Sequence, residues 1–194
     1  MLSPTVKIVA KDDKQKALDI FTMAFVNDPA MRWLMPDAGV YLKNLGAAQM
    51  ALGGFSLNHE TAHILEDGSA AAFWLPPGIG PDEEAMGAFV QTVPPKEARG
   101  DVAGLAEQMG EYHPEEPHWY LATLGVDIKA QGKGMGSILM KHALARVDRE
   151  RKPAYLESSN PRNIPFYERH GFEAIGRIQS GSSPVITPML RRAR

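Results

Sequence analysis

No cysteine occurs among the 194 residues. Disulfide scaffolds, thiolate zinc sites and cysteine nucleophiles are therefore excluded. Long apolar runs are also missing. Stretches such as Ala70 to Leu75 fall far short of the ~20 residues that a membrane-crossing helix needs. The opening segment MLSPTVKIVAKDDK holds no apolar stretch of signal-peptide length. These absences lead us to expect a cytoplasmic protein with no membrane partner. Glycine (18) and proline (15) are only modestly enriched, so collagen-like and disordered readings fail. With 44% hydrophobic and 23% charged residues, the chain has an ordinary globular composition. Its length suits one domain with a real core.

The net charge of −2 hides an asymmetry. Residues 1–116 carry 8 Lys+Arg against 17 Asp+Glu, and residues 117–194 carry 13 against 6. A basic C-terminal part attracts a polyanion such as a phosphorylated cofactor, and an acidic N-terminal part favours a cationic ligand. The stretch from Asp82 to Glu116 alone has a net charge of −7.

Alternation predicts a strand over Thr5 to Ala10 with Val6 and Ile8 inward. A helix follows from Asp12 or Asp13 to Phe25 and stops at Asn27-Asp28-Pro29. A second helix covers roughly Val40 to Leu57. His63 to Glu66 and Ala70 to Leu75 read as a hairpin joined through Asp67-Gly68. Helical patterns over 81–93 and 96–112 are divided by Pro94-Pro95. Then come a strand over 119–126, a helix over 134–149, a strand over 154–157, a short helix over 164–170 and closing strands over 172–178 and 185–190. This order predicts a mixed sheet covered by helices.

The most informative stretch runs from Leu121 through Gln131-Gly132-Lys133-Gly134-Met135-Gly136-Ser137. A strand leads into a turn, glycines and a helix, which is the arrangement of an anion cradle. Glycine admits close approach, and the first helical N–H groups and the helix dipole favour a phosphate. Neither nucleotide motif fits. A Walker loop would need Gly where Asp127 stands, and the dinucleotide pattern would need Gly at Ser137. Gln131-x-x-Gly134-x-Gly136 does fit, as the pyrophosphate signature of the GCN5-related N-acetyltransferase (GNAT) superfamily. Downstream, Tyr155-Leu-Glu157 leads to Asn160, Phe166-Tyr167-Glu168 and Gly171-Phe172, which resembles the next motif of that superfamily. The ordered pair covers about residues 117–178. Within the superfamily, the runs His118 to Val126 and Pro161 to Tyr167 look most like the puromycin N-acetyltransferase branch.

The resemblance implies an α/β (α+β) GNAT-like fold: a mixed, mostly antiparallel sheet of about six to seven strands, flanked by helices. It implies a splay between strand 119–126 and strand 154–158. It implies one acetyltransferase domain over 1–194, with an acceptor-side half (1–116) and an acetyl-CoA-binding half (117–194). The implied activity is transfer of the acetyl group of acetyl-CoA, a cosubstrate, to a primary amine of a small molecule or peptide by direct attack in a ternary complex. Leu124 and Val126 would pair with the pantetheine arm, and the Val126 N–H would meet the thioester oxygen. Gln131, Gly132, Lys133, Gly134, Met135, Gly136 and Ser137 would hold the pyrophosphate, and Asn160 would bind the pantetheine arm. Tyr167 would line the cofactor site and protonate the departing thiolate. For the base, Glu157, His118 and Tyr120 all stay open, with Glu157 preferred. Phe21, Phe25, Trp33 and Trp74 are candidates for an acceptor pocket, although such residues are more often core. The fold often pairs, so a homodimer is a further expectation.

Two other readings compete. The glycine loop alone fits a non-catalytic acyl-CoA sensor equally well. His59-Glu60-Thr61-Ala62-His63 spells the H-E-x-x-H zinc-hydrolase motif. That motif requires one helix face. If His63 starts a strand, the two histidines lie about 13 Å apart at ~3.3 Å per residue. We therefore expect no metal. The basic tail Arg191-Arg192-Ala193-Arg194 is too short to imply nucleic acid.

Overall fold

A computed structural model describes residues 4–194; the first three residues of the expected 1–194 domain lie outside it. Seven strands form one sheet in the order β1-β2-β3-β4-β5-β7-β6. They are β1 (Val6–Ile8), β2 (Ala62–Leu65), β3 (Ala70–Leu75), β4 (Trp119–Val126), β5 (Ala154–Ser158), β6 (Glu173–Ala174) and β7 (Thr187–Arg191). Every neighbouring pair is antiparallel except β4 and β5. This is the mixed, mostly antiparallel sheet expected from the sequence, and its strand count is the upper of the two anticipated.

Helices cover both faces. The helix α6 (Met135–Arg149) buries Leu139, Met140, Ala143, Leu144 and Val147. These side chains recur at helical spacing and meet Leu65, Trp74, Trp119, Leu121 and Leu156 in the largest core cluster. The opposite face receives α1 (Lys14–Ala24), whose Ala17, Leu18, Ile20 and Phe21 pack with Ile64, Ala71 and Phe73. It also receives α3 (Ala38–Gly53). The remaining helices are α2 (Pro29–Leu34), α4 (Glu83–Thr92), α5 (Arg99–Tyr112) and α7 (Ile164–Glu168). No helix among the described residues is long and apolar enough to cross a membrane.

Several sequence expectations need correction. Ile8 is not inward: it is 46% exposed, and Val9 is the buried residue. The strand is an edge of three residues, so its alternation carried little information. Asn27-Asp28-Pro29 does more than end α1. The Asp28 carboxylate accepts from Ala30 N and Met31 N, and Pro29 occupies the first turn, so these residues start α2. The second helix runs from Ala38 to Gly53, and residues 54–59 continue as a 3-10 helix. The closing strand over 172–178 shrinks to Glu173–Ala174 and a single bridge from Ile178 to Ile186. Opposite it, Pro188 can accept from Ile175 N but has no N–H to return.

Phe21 and Trp74 are fully buried core, so neither lines an acceptor pocket. Trp33 donates from Nε1 to Ser182 Oγ at 3.2 Å. Arg191, 3% exposed, joins β7 to α6 through Asp148 and to the end of α7 through the His170 carbonyl.

His63 on β2 is 8% exposed, packs edge-on against His142, and leaves Nδ1 without a hydrogen-bond partner. Burial first, then the neighbouring His142 and Arg146, pushes its pKa down to about 4. Between about pH 6.5 and 4 the unfolded chain therefore takes up a proton that the folded chain refuses. The stabilisation is complete above 6.5 and lost as pH falls toward 4. We expect this residue to account for about 2 kcal/mol of lost stability between pH 7 and 5. Urea unfolding of His63→Leu should show a correspondingly flatter pH profile than the wild type.

Candidate functional site

The site begins with an irregularity in β4. Trp74 of β3 opposes Leu121 and Phe73 opposes Thr123, so Ala122 is an extra residue, a β-bulge. Alternation is reset there. Trp119 and Leu121 face α6 before the bulge, and Leu124 and Val126 pack on that side after it. The bulge is held from the other face. A Cβ added at Gly53 would stand 2.9 Å from the Ala122 Cβ, and one at Gly125 would stand 2.8 Å from Phe21.

β4 and β5 pair only at Trp119–Ala154 and Tyr120–Tyr155, and then they part. The parting leaves donors without strand partners. Asp127 N bonds Ser69 O, so residues 69 and 127 form a hydrogen-bonded pair. Alternation along an antiparallel ladder then points the N–H and C=O groups of Leu124 and Val126 away from β3, into the gap. The Val126 carbonyl is met by the Gln131 side-chain amide at 3.2 Å.

The turn after β4 completes one wall. Gly132 and Gly134 have φ of 73° and 84°, and a Cβ at either would meet nothing within 4 Å. They are glycine for backbone conformation and openness, not for packing. Gly134 is the residue before α6, so the first free amides of the helix, at Met135, Gly136 and Ser137, follow it directly. The Gln131 N–H, expected to join this cradle, is committed to the Asp127 carbonyl. Lys133 is turned away as well, its Nζ donating to the Lys129 carbonyl at 2.8 Å.

Gap and turn open into one cleft of about 670 Å³. Its lining includes Leu124, Val126, Gln131, Gly132, Gly134, Met135, Gly136, Ser137, Asn160 and Tyr167, but neither Lys133 nor Glu157. Asn160 has two relations: its Oδ1 accepts from Arg162 N, capping the turn at Pro161, and its side chain borders the cleft. Tyr167 on α7 is 9% exposed. Burial first, then the charge of Asp28, holds its pKa well above the ordinary phenol value, so the hydroxyl keeps its proton throughout the neutral range.

Phe25, a candidate for the acceptor pocket, does border this cleft, whereas sequence reasoning missed its three charged contributors, Asp28, Arg162 and Arg169. The two arginines belong to the basic C-terminal half, which was a usable signal. Asp28 is 5% exposed; its Oδ2 accepts from Ser159 Oγ at 2.6 Å and its Oδ1 from the two α2 amides. Desolvation pushes its pKa up, partly offset by these bonds. It ties the α1–α2 junction to the end of β5. The only forewarning was an Asx-Pro pair, which served equally well as a helix stop.

Glu157 lies apart from the cleft lining. It follows Tyr155 by two residues, so it shares that residue's face of β5. Its side chain is only 5% exposed. The hydroxyls of Tyr120 and Tyr155 face its carboxylate, and burial followed by that charge raises both tyrosine pKa values. His113 Nδ1 stands 3.8 Å from Glu157 Oε1.

The zinc motif does not assemble. His59 ends the 3-10 helix, Glu60 is left-handed at φ 55°, and His63 lies in β2, so the three do not share a helix face. Among the described residues no group of three or more His, Cys, Asp or Glu could hold a metal ion.

Comparison with known proteins agrees with this architecture. The family model described as Acetyltransferase (GNAT) family matches residues 57–172. An uncharacterized N-acetyltransferase of Schizosaccharomyces pombe is 43% identical over 58 residues, which cover 30% of this chain and 24% of that protein. The chain thus matches only about a quarter of the length of that relative. A Corynebacterium glutamicum structure described as histone acetyltransferase HPA2 and related acetyltransferase superposes with TM-score 0.69 and 25% identity, covering 100% of this chain and 98% of the other. Arylalkylamine N-acetyltransferase 2 of Aedes aegypti gives TM-score 0.68 and 13% identity, with 100% of both chains covered, a likeness of fold.

The turn makes a conformational prediction. Gly134→Ala should cost about 1–2 kcal/mol, because only the left-handed backbone is at stake. Gly80→Ala, where space is equally open and φ lies outside the left-handed region, should leave stability essentially unchanged. Thermal melting should separate the two by several degrees, since ~1 kcal/mol moves a chain of this size by about 2–4 °C.

Proposed function

Because the chain belongs to the acetyltransferase (GNAT) family, we propose that it transfers the acetyl group of acetyl-CoA to a primary amine, by direct attack in a ternary complex. One observation carries the reading. The partnerless N–H groups of β4 and the open glycine turn line the same cleft, with a protonated Tyr167 inside it. An extended thioester carrier ending in a diphosphate has that shape: a chain for the gap and an anion for the turn. We take residues 1–194 as one catalytic domain, with the cosubstrate held by 117–194 and the acceptor selected by 1–116.

In this reading Gly132, Gly134, Met135, Gly136 and Ser137 hold the pyrophosphate through their amides. Leu124 and Val126 hold the pantetheine arm with help from the Asn160 side-chain amide. The Val126 N–H meets the thioester oxygen, where negative charge develops as the amine adds, and a fixed donor there lowers the barrier. Tyr167 gives its proton to the departing sulfur. Its raised pKa keeps the phenol protonated and neutral until then, and no described side chain competes for that proton by hydrogen bonding. Glu157 receives the proton that the amine gives up. Asp28 and Ser159 act by position, fixing α2 against the strand end beside Tyr167.

For the acceptor, we favour a small-molecule amine. Structures of similar fold include an agmatine N-acetyltransferase (TM-score 0.66, 14% identity). The runs His118 to Val126 and Pro161 to Tyr167 support a puromycin N-acetyltransferase-like branch, and the acidic stretch from Asp82 to Glu116 supports a cationic acceptor.

Calorimetry with coenzyme A and acetyl-CoA tests the cosubstrate: association of both is expected, and none would sink the reading. Thiol release from acetyl-CoA with a panel of amines tests the transfer. With an amine that turns over, Tyr167→Phe should lower kcat on the order of 10²-fold while acetyl-CoA binding stays nearly intact. An undiminished kcat would remove Tyr167 from the mechanism.

A further inference from the structure

Glu157 is an enclosed carboxylate near the parting of β4 and β5, and its surroundings show where a proton taken there can go. Tyr120 and Tyr155 oppose each other at the last pair of the two strands, and Glu157 is the next residue of β5 on the same face. Among the described residues no lysine or arginine lies within 4.0 Å of it; its one basic neighbour is His113, at the end of α5. His113 is followed by His118, at the entry to β4, with the two Nε2 atoms 3.0 Å apart. Beyond that, His118 Nδ1 lies 2.8 Å from the Glu116 carbonyl. The rings of His113, His118, Tyr120 and Tyr155 pack edge-on or stacked around this line.

The chemistry of these atoms fixes the direction of the chain. A carbonyl oxygen only accepts, so His118 Nδ1 carries a hydrogen. Burial, more than any other influence, lowers the pKa of His118, so at neutral pH its Nε2 is a bare lone pair. His113 Nε2 must then be the donor in the contact between the rings. What remains is His113 Nδ1, facing a carboxylate oxygen across 3.8 Å. With no hydrogen there, two lone pairs would oppose each other. In the resting relay that position is empty, a vacancy that a proton arriving at Glu157 fills. The other groups facing the line do not carry it: Tyr120 and Tyr155 have raised pKa values, Tyr112 of α5 faces Tyr155, and Glu116 contributes its backbone carbonyl.

We infer that Glu157, His113 and His118 form a proton relay that leads from the parting of β4 and β5 to the surface at residues 113–118. The inference rests on the amine-transfer reading. As the amine nitrogen bonds the acetyl carbon and the carbon–sulfur bond breaks, the nitrogen loses a proton to Glu157. Glu157 passes a proton to His113 Nδ1, His113 passes its Nε2 proton to His118 Nε2, and His118 releases its Nδ1 proton to water. These hops leave both imidazoles in the opposite tautomer, and exchange of His118 and of His113, whose side chain is 37% exposed, with water restores the starting one. Tyr167 gives one proton to sulfur and regains one from solvent, so protons balance over the cycle. His113 and His118 touch no substrate and act through Glu157.

The first test needs no acceptor. Nitrogen–proton correlation spectra of the imidazoles in the unliganded full chain should show His118 as the Nδ1–H tautomer, with Nε2 accepting from His113. The reverse tautomer at His118 overturns the relay, whatever the amine. The second test uses acetyl-CoA with agmatine, tryptamine, spermidine and puromycin as probes. If the wild type turns over none of them, the amine-transfer reading fails and the relay fails with it. With a working amine, His113→Ala should lower kcat on the order of 10²-fold near pH 7. The loss should shrink as pH rises, the KM for acetyl-CoA should hold, and added imidazole should restore part of the rate. His113→Gln, which keeps a polar side chain but cannot relay, should behave in the same way and covers the case in which the alanine variant misfolds. A rate loss with an unshifted pH profile and no response to imidazole would leave His113 a structural role only and overturn the relay.

Discussion

The molecule depends on one interrupted hydrogen-bond ladder. An extra residue, Ala122, turns β4 over at mid-length. Without that reset, Leu124 and Val126 would change faces, and the amides now directed into the gap would point at β3 instead. The interruption is held by close packing. Gly53 approaches Ala122 and Phe73 from one helix, and Phe21 and Ala24 crowd Gly125 from another. A larger residue at either glycine would push a helix off the bulged strand. The two helices that carry much of the core on that face thus also keep the cleft open.

The cleft and the histidine line lie on different sides of the same parting. Tyr167, Asn160 and the glycine turn border the open side. Glu157, with its tyrosines and His113, occupies the more enclosed one. In the proposed reaction this separates the group that gives a proton from the group that takes one, so the two do not neutralise each other before the amine arrives. Asp28 belongs to the first side. Held by two backbone amides and Ser159, it adds negative charge near Tyr167 and so helps keep the phenol protonated.

The sequence was most legible where backbone conformation dictates residue type. Gly132 and Gly134 adopt left-handed φ values, and the periodic apolar face of α6 appears as expected. The elements from residue 117 onward follow the order read from two motifs. Legibility failed where a residue served two structural possibilities at once. Asp28-Pro29 reads equally as the end of one helix and the start of the next, so α2 went unseen. The β-bulge left no mark, because Ala122 differs in nothing from an ordinary strand residue. His113 passed unnoticed for another reason: its partners Glu157 and His118 come from other elements, and a lone histidine before a proline carries no spacing signal. Lys133 shows the opposite error, a charge within a motif whose side chain bonds its own loop.

The single parallel junction has a mechanical consequence. β1 to β4 form one antiparallel block and β5, β7 and β6 another, and only two residue pairs stitch them together. Arg191 fastens the second block to α6 through Asp148, so the blocks share a helix more than they share a seam. A linear molecule lying along the divide would act as a splint, adding contacts between two blocks that pair only along that short seam. The stiffening would reach β6, the strand farthest from the divide within its block.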